Sequence, residues 1–287
     1  MSTTTPNILI DTTPVVDDDD PNLAHSVITD AWGLYFAQGG VVMAAALRAM
    51  EAVLGRDELT LASASATFVR PVACGPVTTE VKVLRSGRRA AQVQGTLRDA
   101  TAPEGEASVV LSAVFTDPGL PGPALAPLPR PYELREVPDP GSSEPQPVDT
   151  DFPLGFLDNT EWQVATGADQ GLLGEERVPR LAVWFRFTDP PAVNGVAWDP
   201  ALIPIPGDSL GSALVVALGG GDQPVGSVSL QIDLQVLAPI TGTWIGVDSY
   251  CTHLGNGLAS GALNLWSETG EHVATVTQTA LLRSFDG

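Results

Sequence analysis

The stretch Phe68-Val69-Arg70-Pro71 decides the fold, because the chain carries a second stretch of the same kind, Val236-Leu237-Ala238-Pro239. In both places a strand pattern ends at a proline, and two further strand patterns follow. The two prolines are 168 positions apart, and the same offset places Leu97 on Leu265. Self-similarity at one fixed offset of domain size predicts two fused copies of one small fold rather than a solenoid of short repeats.

The bulk composition is that of an ordinary globular protein. The 287 residues are enough for two cores, and 44% of them are hydrophobic. No run approaches the roughly 20 consecutive apolar residues of a membrane helix. Residues 1–5 lack a basic region followed by an apolar core, so we expect no secretory signal and a cytoplasmic protein. Cys74 and Cys251 do not correspond in the two copies and are predicted to be free thiols.

The net charge of −20 restricts the partners. Such a field repels nucleic acid and anionic membrane surfaces, so we expect neither as a partner. Part of the charge lies in the run 17–20, which is four aspartates. We interpret residues 1–23 as a disordered acidic leader. One group of basic residues could bind an anionic ligand or simply aid solubility: Arg70, Lys82, Arg85, Arg88 and Arg89.

The first copy, over residues 24–117, reads as a short strand, a helix and four strands. The aromatic segment 30–36 is the predicted opening strand. Residues 41–54 are rich in Ala, Leu and Met, lack Pro and Gly, and stop at Gly55, which is typical of a helix with a glycine cap. The predicted strands are 59–69, 77–84, 90–98 and 106–116.

The second copy, over residues 152–287, repeats this order after a Pro- and Gly-rich linker at 118–151. We interpret the linker as an extended segment lying over the surface. The predicted elements of the second copy are an opening strand at 162–166, an added strand at 179–187, a helix at 209–218 and strands at 225–237, 243–253, 259–267 and 272–283.

The small side chains of the first helix, such as Ala45 and Ala49, suit a helix that is closely enclosed by a curved antiparallel sheet. Fusing two such units lets their exposed sheet edges pair into one sheet. The fold class is therefore α+β. The element order, the pair Gly39-Gly40, the stretch 68–71 and the closing Val276-Thr277-Gln278 together resemble the double-hotdog acyl-CoA thioesterases, the bacterial thioesterase II-like group. The resemblance spans roughly Ala24 to Ser284, without the linker.

The resemblance implies hydrolysis of an acyl-CoA thioester by an activated water. In that family an Asp at the start of the second helix acts with a Ser or Thr on the next strand and a Gln on the last strand. Carried onto this chain, the catalytic residues are Asp208, Ser229 and Gln278. The carboxylate would accept the proton of the water, while hydroxyl and amide would orient it. Gln231 lies two residues beyond Ser229, would share its face of a regular strand, and is the alternative partner of Asp208.

The two copies differ at these positions. The counterparts in the first copy are Gly40, Leu61 and, after a three-residue insertion near Thr101, Ala113. We therefore expect one site, with the base in the second copy and the first copy supplying a wall and backbone donors. The candidate substrate-binding residues are Gly39, Gly40 and Arg88.

Two other functions are compatible with the same fold. A hydratase or dehydratase of the same fold needs an Asp/His pair, and none of His25, His253 and His272 lies beside an acid in a helix-start loop. A non-catalytic acyl-CoA or lipid-binding protein would keep the same slot without its chemistry. We predict no cofactor and no metal. The resemblance also implies that two double-hotdog units could pair as a homodimer.

Overall fold

The structure, a computed structural model, describes residues 6–123, 125, 128–139, 141, 154–165, 179–191, 197–218 and 225–284. Within these ranges, twelve strands form one sheet with antiparallel neighbours throughout. The strands are β1 (Val15–Val16), β2 (Leu23–Ile28), β3 (Thr60–Phe68), β4 (Gly75–Ser86), β5 (Ala90–Asp99), β6 (Val109–Thr116), β7 (Thr160–Val164), β8 (Arg180–Phe187), β9 (Val225–Val236), β10 (Ile245–Gly255), β11 (Leu258–Ser267) and β12 (His272–Ser284).

Helices pack against this sheet. The α-helices are α1 (Ile8–Asp11), α2 (Gly39–Leu54), α3 (Gly155–Asp158), α4 (Pro204–Gly207) and α5 (Leu210–Leu218), and short 3-10 helices lie at Asp30–Trp32, Tyr132–Leu134 and Pro200–Leu202. None of the described helices is long and apolar enough to cross a membrane.

The order of the strands shows the duplication directly. The sheet runs β1-β2-β4-β5-β6-β3-β9-β12-β11-β10-β8-β7, so the order read inward from either end is the same in both halves. At the joint, β3 pairs with β9, and Ser65 lies opposite Asp233. These two residues are themselves 168 positions apart, and the same offset exchanges the flanking pairs Ala64–Leu234 and Ala66–Ile232. The predicted pairing of the two sheet edges is confirmed, with a pseudo-twofold axis between Ser65 and Asp233.

Helix α2 is held by its ends and by small side chains on the face against the sheet. Gln38 caps its start, and Gly55, in the left-handed region at φ 60°, ends it. Along the helix Ala44, Ala45 and Ala46 are fully buried. Strand β5 approaches so closely that a Cβ on Gly95 would lie 2.9 Å from the sulfur of Met50. The predicted enclosure of this helix by the sheet is thus explained by side-chain size.

Helix α5 of the second half approaches its strands in the same way. Leu210, at its start, is fully buried over β11, and a Cβ on Gly261 would lie only 2.1 Å from the Leu210 side chain. The short helix α4 precedes α5, and Gly207 is packed against Val276 of β12. Asp208 and Ser209 are the two residues between α4 and α5. This packing sets Asp208 at the joint between the halves.

The acidic leader needs correction, because residues 6–23 are folded. Ile8 of α1 is fully buried, and β1 pairs with β2 at the edge of the sheet. The acidic run forms the turn between these strands, in which the Asp17 carboxylate accepts hydrogen bonds from the amides of Asp19 and Asp20. Short polar side chains are typical of turns as well as of disordered segments, and in this chain the run forms a turn.

The predicted opening strand at 30–36 is also wrong. Its first part is the 3-10 helix Asp30–Trp32, and Gly33 and Ala37 then close a short loop. The true counterparts are β2 in the first half and β8 in the second, since each lies at the same place in the strand order. The segment 179–187 is therefore not an added strand, and β7 corresponds to β1.

The linker makes one deep contact among its described residues. Leu134 is fully buried against Gly246 of β10, in a cluster with Trp184, Trp244 and Trp266. The prediction of an extended surface segment thus needs correction at Leu134, which anchors the linker to the outer face of the second half.

Candidate active site

Asp208 lies in the turn between the short helix α4 and helix α5. Its amide donates to the carbonyl of Pro204 at 2.8 Å, which ends α4. The first-turn amide of Leu210 donates instead to Oε1 of Gln278, at 3.1 Å. Gln278 thus serves the start of α5, and the Asp208 carboxylate accepts hydrogen bonds from both halves of the molecule.

One oxygen of Asp208 forms a closed triangle with the two other predicted catalytic residues. Oδ1 accepts from Ser229 Oγ at 2.7 Å and from Gln278 Nε2 at 2.5 Å. Gln278 Nε2 also lies 2.8 Å from Ser229 Oγ. Gln278 is 5% exposed although it is an amide on a strand, so its hydrogen bonds replace those of water. The three residues predicted from the sequence therefore meet.

The other oxygen of Asp208 is held by the first half. Oδ2 accepts from the backbone amide of Gly40 at 3.0 Å and from Gln38 Nε2 at 3.1 Å. A Cβ on Gly39 would lie 2.6 Å from the same oxygen. The predicted pair Gly39-Gly40 thus lies across the joint from Asp208, and the absence of side chains allows the backbone to approach the carboxylate.

A β-bulge decides which residue of β9 reaches Asp208. The pairing with β12 shifts so that Ala280 lies opposite Ser229 and Thr279 opposite Gln231, leaving Leu230 without a partner. Because of the extra residue, Ser229 and Gln231 do not share a face. Ser229 points to Asp208, whereas Gln231 is exposed and donates to Asp233. The alternative that Gln231 is the partner of Asp208 is therefore wrong.

The first half carries the same bulge without the chemistry. The pairing of β3 with β6 shifts between Leu61 and Ser63, at the position equivalent to Leu230. Leu61 and Ala113, the counterparts of Ser229 and Gln278, are buried apolar residues. The first half therefore supports the joint with apolar packing where the second half has polar groups.

Burial raises the pKa of the Asp208 carboxyl to about 6, although hydrogen bonds from Ser229, Gly40 and Gln278 counteract that shift. Protein atoms surround the carboxylate, yet the residue keeps part of its surface exposed. A carboxyl with this pKa is mostly ionised at pH 7 and is a stronger base than an ordinary aspartate.

Arg88 does not lie with the other candidate residues. It is exposed in the hairpin turn between β4 and β5. That turn is held by Arg56, which donates to Ser86 and to the carbonyl of Gly87. Arg56 follows the end of α2, whereas Gly39 opens it, and a helix of 16 residues is about 24 Å long. Arg88 therefore lies apart from Asp208, and its part in substrate binding stays a prediction.

A cleft of about 260 Å³ opens at the same distant end of α2 and is separate from the Asp208 site. Its lining residues are Glu51, Leu54, Arg56, Asp57, Leu59, Thr60, Phe115 and Pro200. Burial raises the pKa of the Glu51 carboxyl to about 8. The groups that surround Asp208 do not line this cleft, so it adds nothing to the candidate active site.

Gln38 is the residue that the sequence analysis missed. It is 5% exposed and contacts both Asp208 and the first turn of α2. The one signal in the sequence is its place directly before Gly39-Gly40, where a residue that caps a helix belongs.

Two family profiles match the chain in tandem. The acyl-CoA thioesterase N-terminal domain matches residues 28–116, and the acyl-CoA thioesterase C-terminal domain matches residues 133–282. No curated protein matches the chain.

Solved structures share the whole fold. A hot dog-fold protein of unknown function from Alicyclobacillus acidocaldarius is 18% identical, with a TM-score of 0.74 over 98% of this chain and 99% of its own. A tesB protein of Mycobacterium avium subsp. paratuberculosis is 18% identical, with a TM-score of 0.72 over 96% and 98%. An acyl-CoA thioesterase II from Mycobacterium marinum is 19% identical, with a TM-score of 0.68 over 98% and 100%.

These likenesses confirm the double-hotdog fold, and the C-terminal profile alone covers more than half of the sequence. The chain is a member of the acyl-CoA thioesterase family.

Proposed function

We propose that this protein hydrolyses fatty acyl-CoA to a free fatty acid and CoA, with Asp208 as the general base. Family membership supports thioester hydrolysis in general. The observation that carries the specific proposal is the triangle of Asp208, Ser229 and Gln278, in which a buried carboxylate with a raised pKa is bonded to a hydroxyl and an amide.

The proposed reaction needs no covalent enzyme intermediate. Water attacks the thioester carbonyl carbon while Asp208 takes one of its protons, and Ser229 and Gln278 orient that water. The carbonyl oxygen becomes negative in the tetrahedral intermediate. The C–S bond then breaks, the carbonyl reforms, and the proton held by Asp208 passes to the departing CoA sulfur. Carboxylic acid and thiol are the products.

The Gly40 amide has a proposed part in this sequence. A carboxylate has about four lone-pair sites, and Asp208 accepts four hydrogen bonds from named donors. A catalytic water can therefore bond to the carboxylate only if it replaces one of these four donors. If the thioester oxygen takes the Gly40 N–H, it gains a donor for its developing charge and frees Oδ2 of Asp208 for water.

The second candidate is an acyl-CoA-binding protein without catalysis, and the filled hydrogen-bonding capacity of Asp208 is the observation that favours it. The two functions separate in one experiment. The purified protein is mixed with acyl-CoAs of increasing chain length, and released thiol is followed with a disulfide reagent, while binding is measured by calorimetry. We expect thiol release above background. Binding of these acyl-CoAs without thiol release would contradict hydrolysis and support the binding function.

A further inference from the structure

Gln38 uses both ends of its side-chain amide. Oε1 accepts at 2.8 Å from the amide of Val41 in the first turn of α2, which also donates to the Gln38 carbonyl oxygen. Nε2 lies 3.1 Å from Oδ2 of Asp208 and 3.4 Å from the Asp208 carbonyl oxygen. One side chain thus joins the helix of the first half to the carboxylate of the second half.

The chemistry of these neighbours determines how the amide is oriented. A flipped amide would set its NH2 group against the Val41 N–H and its oxygen against the Asp208 carboxylate. Both contacts would be repulsive, and with 5% exposure little water could relieve them. The donor end of Gln38 is therefore held toward Asp208.

The second half has no equivalent of this group. The stretch Gln38-Gly39-Gly40 corresponds to Pro206-Gly207-Asp208 at the 168-residue offset. Proline has no N–H and no side-chain donor. The Gln38 donor therefore lies in the first half and the carboxylate in the second. The halves differ at this position as they do at the equivalent residues Leu61 and Ser229.

We propose that Gln38 is a positioning residue that fixes the orientation of the Asp208 carboxylate from the opposite half of the molecule. Ser229 and Gln278 hold one oxygen, and Gln38 with the Gly40 amide holds the other. Rotation of the carboxylate about its Cβ–Cγ bond would break contacts on both sides. The kinetic part of this inference rests on the proposed function, whereas the positioning of Asp208 does not.

Two substitutions separate positioning from capping. Gln38→Ser keeps a good helix cap and removes the arm that reaches Asp208. Gln38→Glu keeps the shape and the acceptor for Val41, but places an oxygen opposite the carboxylate. The matched control is Gln94→Ser, at an exposed glutamine of β5.

We expect Gln38→Ser to lower kcat roughly tenfold with KM little changed, and Gln38→Glu to lower it roughly 100-fold near pH 7. The titration of Asp208, followed by carboxyl carbon NMR and assigned with Asp208→Asn, should move to higher pH in both variants, because a donor to the charged form is lost. The control should match the unaltered protein in each measurement.

An unmoved Asp208 titration in both variants would overturn the proposal, whatever the rates, because Gln38 would then only cap the helix or contact substrate. The NMR titration also decides the matter if the unaltered protein hydrolyses no acyl-CoA. In that case the proposed function fails, while a shifted titration still supports the positioning of Asp208 by Gln38.

Discussion

At the scale of the residue, Asp208 combines burial with hydrogen bonds from two directions. Burial raises the pKa of the carboxyl, and the donors around it stabilise the charged form and lower the pKa again. The result is a group that changes its charge near pH 6 rather than near its ordinary value of 3.8. Ser229, Gln278 and Gly40 therefore affect both the position of the proposed base and the pH at which it ionises.

The pH dependence of the rate follows from this pKa. The base must be ionised to accept a proton, so kcat/KM should be constant above about pH 7 and should fall toward tenfold per pH unit well below pH 6. Rates with a single acyl-CoA between pH 4.5 and 8 check this. A rate that stays constant down to pH 5 would show that a carboxyl with an ordinary pKa, or none, limits the reaction.

The same carboxyl should make stability depend on pH. Its pKa is higher in the folded chain than in the unfolded chain, so the proton stabilises the fold fully below about pH 3.8, and this contribution is lost as the pH rises through 6. The loss is at most about 3 kcal/mol in the free energy of unfolding. Between pH 4 and pH 7, the free energy of unfolding measured with urea should decrease more in the unaltered protein than in Asp208→Asn. Equal declines would contradict the raised pKa.

At the scale of the element, the bulge at Leu230 in β9 gives Ser229 its place. Without the extra residue, alternation would set Ser229 and Gln231 on one face of the strand. With it, only Ser229 reaches Asp208. The first half keeps the corresponding bulge beside Leu61, so the backbone distortion belongs to the duplicated fold and the second half uses it for a polar side chain.

This arrangement predicts opposite results for two substitutions on one strand. Ser229→Ala should lower kcat roughly tenfold or more, because the water and the carboxylate lose an orienting hydroxyl. Gln231→Ala removes an exposed side chain bonded to Asp233 and should change kcat less than about twofold. If steady-state kinetics showed a larger loss of kcat in Gln231→Ala than in Ser229→Ala, the register of β9 would differ from the one described above.

At the scale of the whole molecule, the pseudo-twofold axis between Ser65 and Asp233 brings the starts of the two helical regions together. Gly40 and Asp208 are equivalent positions in the two halves, and they contact each other across that axis. One half can thus supply donors and the other the base. The leader takes part as well, because β1 completes the first half as β7 completes the second.

The leader should therefore contribute to stability. Ile8→Ala removes a fully buried side chain and should lower the free energy of unfolding by about 2–5 kcal/mol, measured by urea denaturation. Ile10 lies on the same short helix and is 70% exposed, so Ile10→Ala should cost less than about 0.5 kcal/mol. Equal, small effects would mean that the leader is not part of the folded core.

The sequence could predict what depends on pattern and position. The 168-residue offset predicts the joined sheets, and the resemblance to the double-hotdog thioesterases implies Asp208, Ser229 and Gln278. It could not show the bulge at Leu230, because one unpaired residue leaves the apolar pattern nearly unchanged. The contact of Gln38 with Asp208 and the distance of Arg88 from Asp208 both depend on which end of α2 meets which turn. Only the packed structure contains that information.

If the Asp208 carboxylate is the base, the turnover of acyl-CoA by Asp208→Asn should show it most clearly. The matched control is Asp233→Asn, on the same half but bonded to Gln231 on the outer face of β9. With circular dichroism and thermal unfolding confirming that both variants fold, we expect kcat to fall at least about 100-fold in Asp208→Asn and to be unchanged in the control. Wild-type turnover by folded Asp208→Asn would contradict the account.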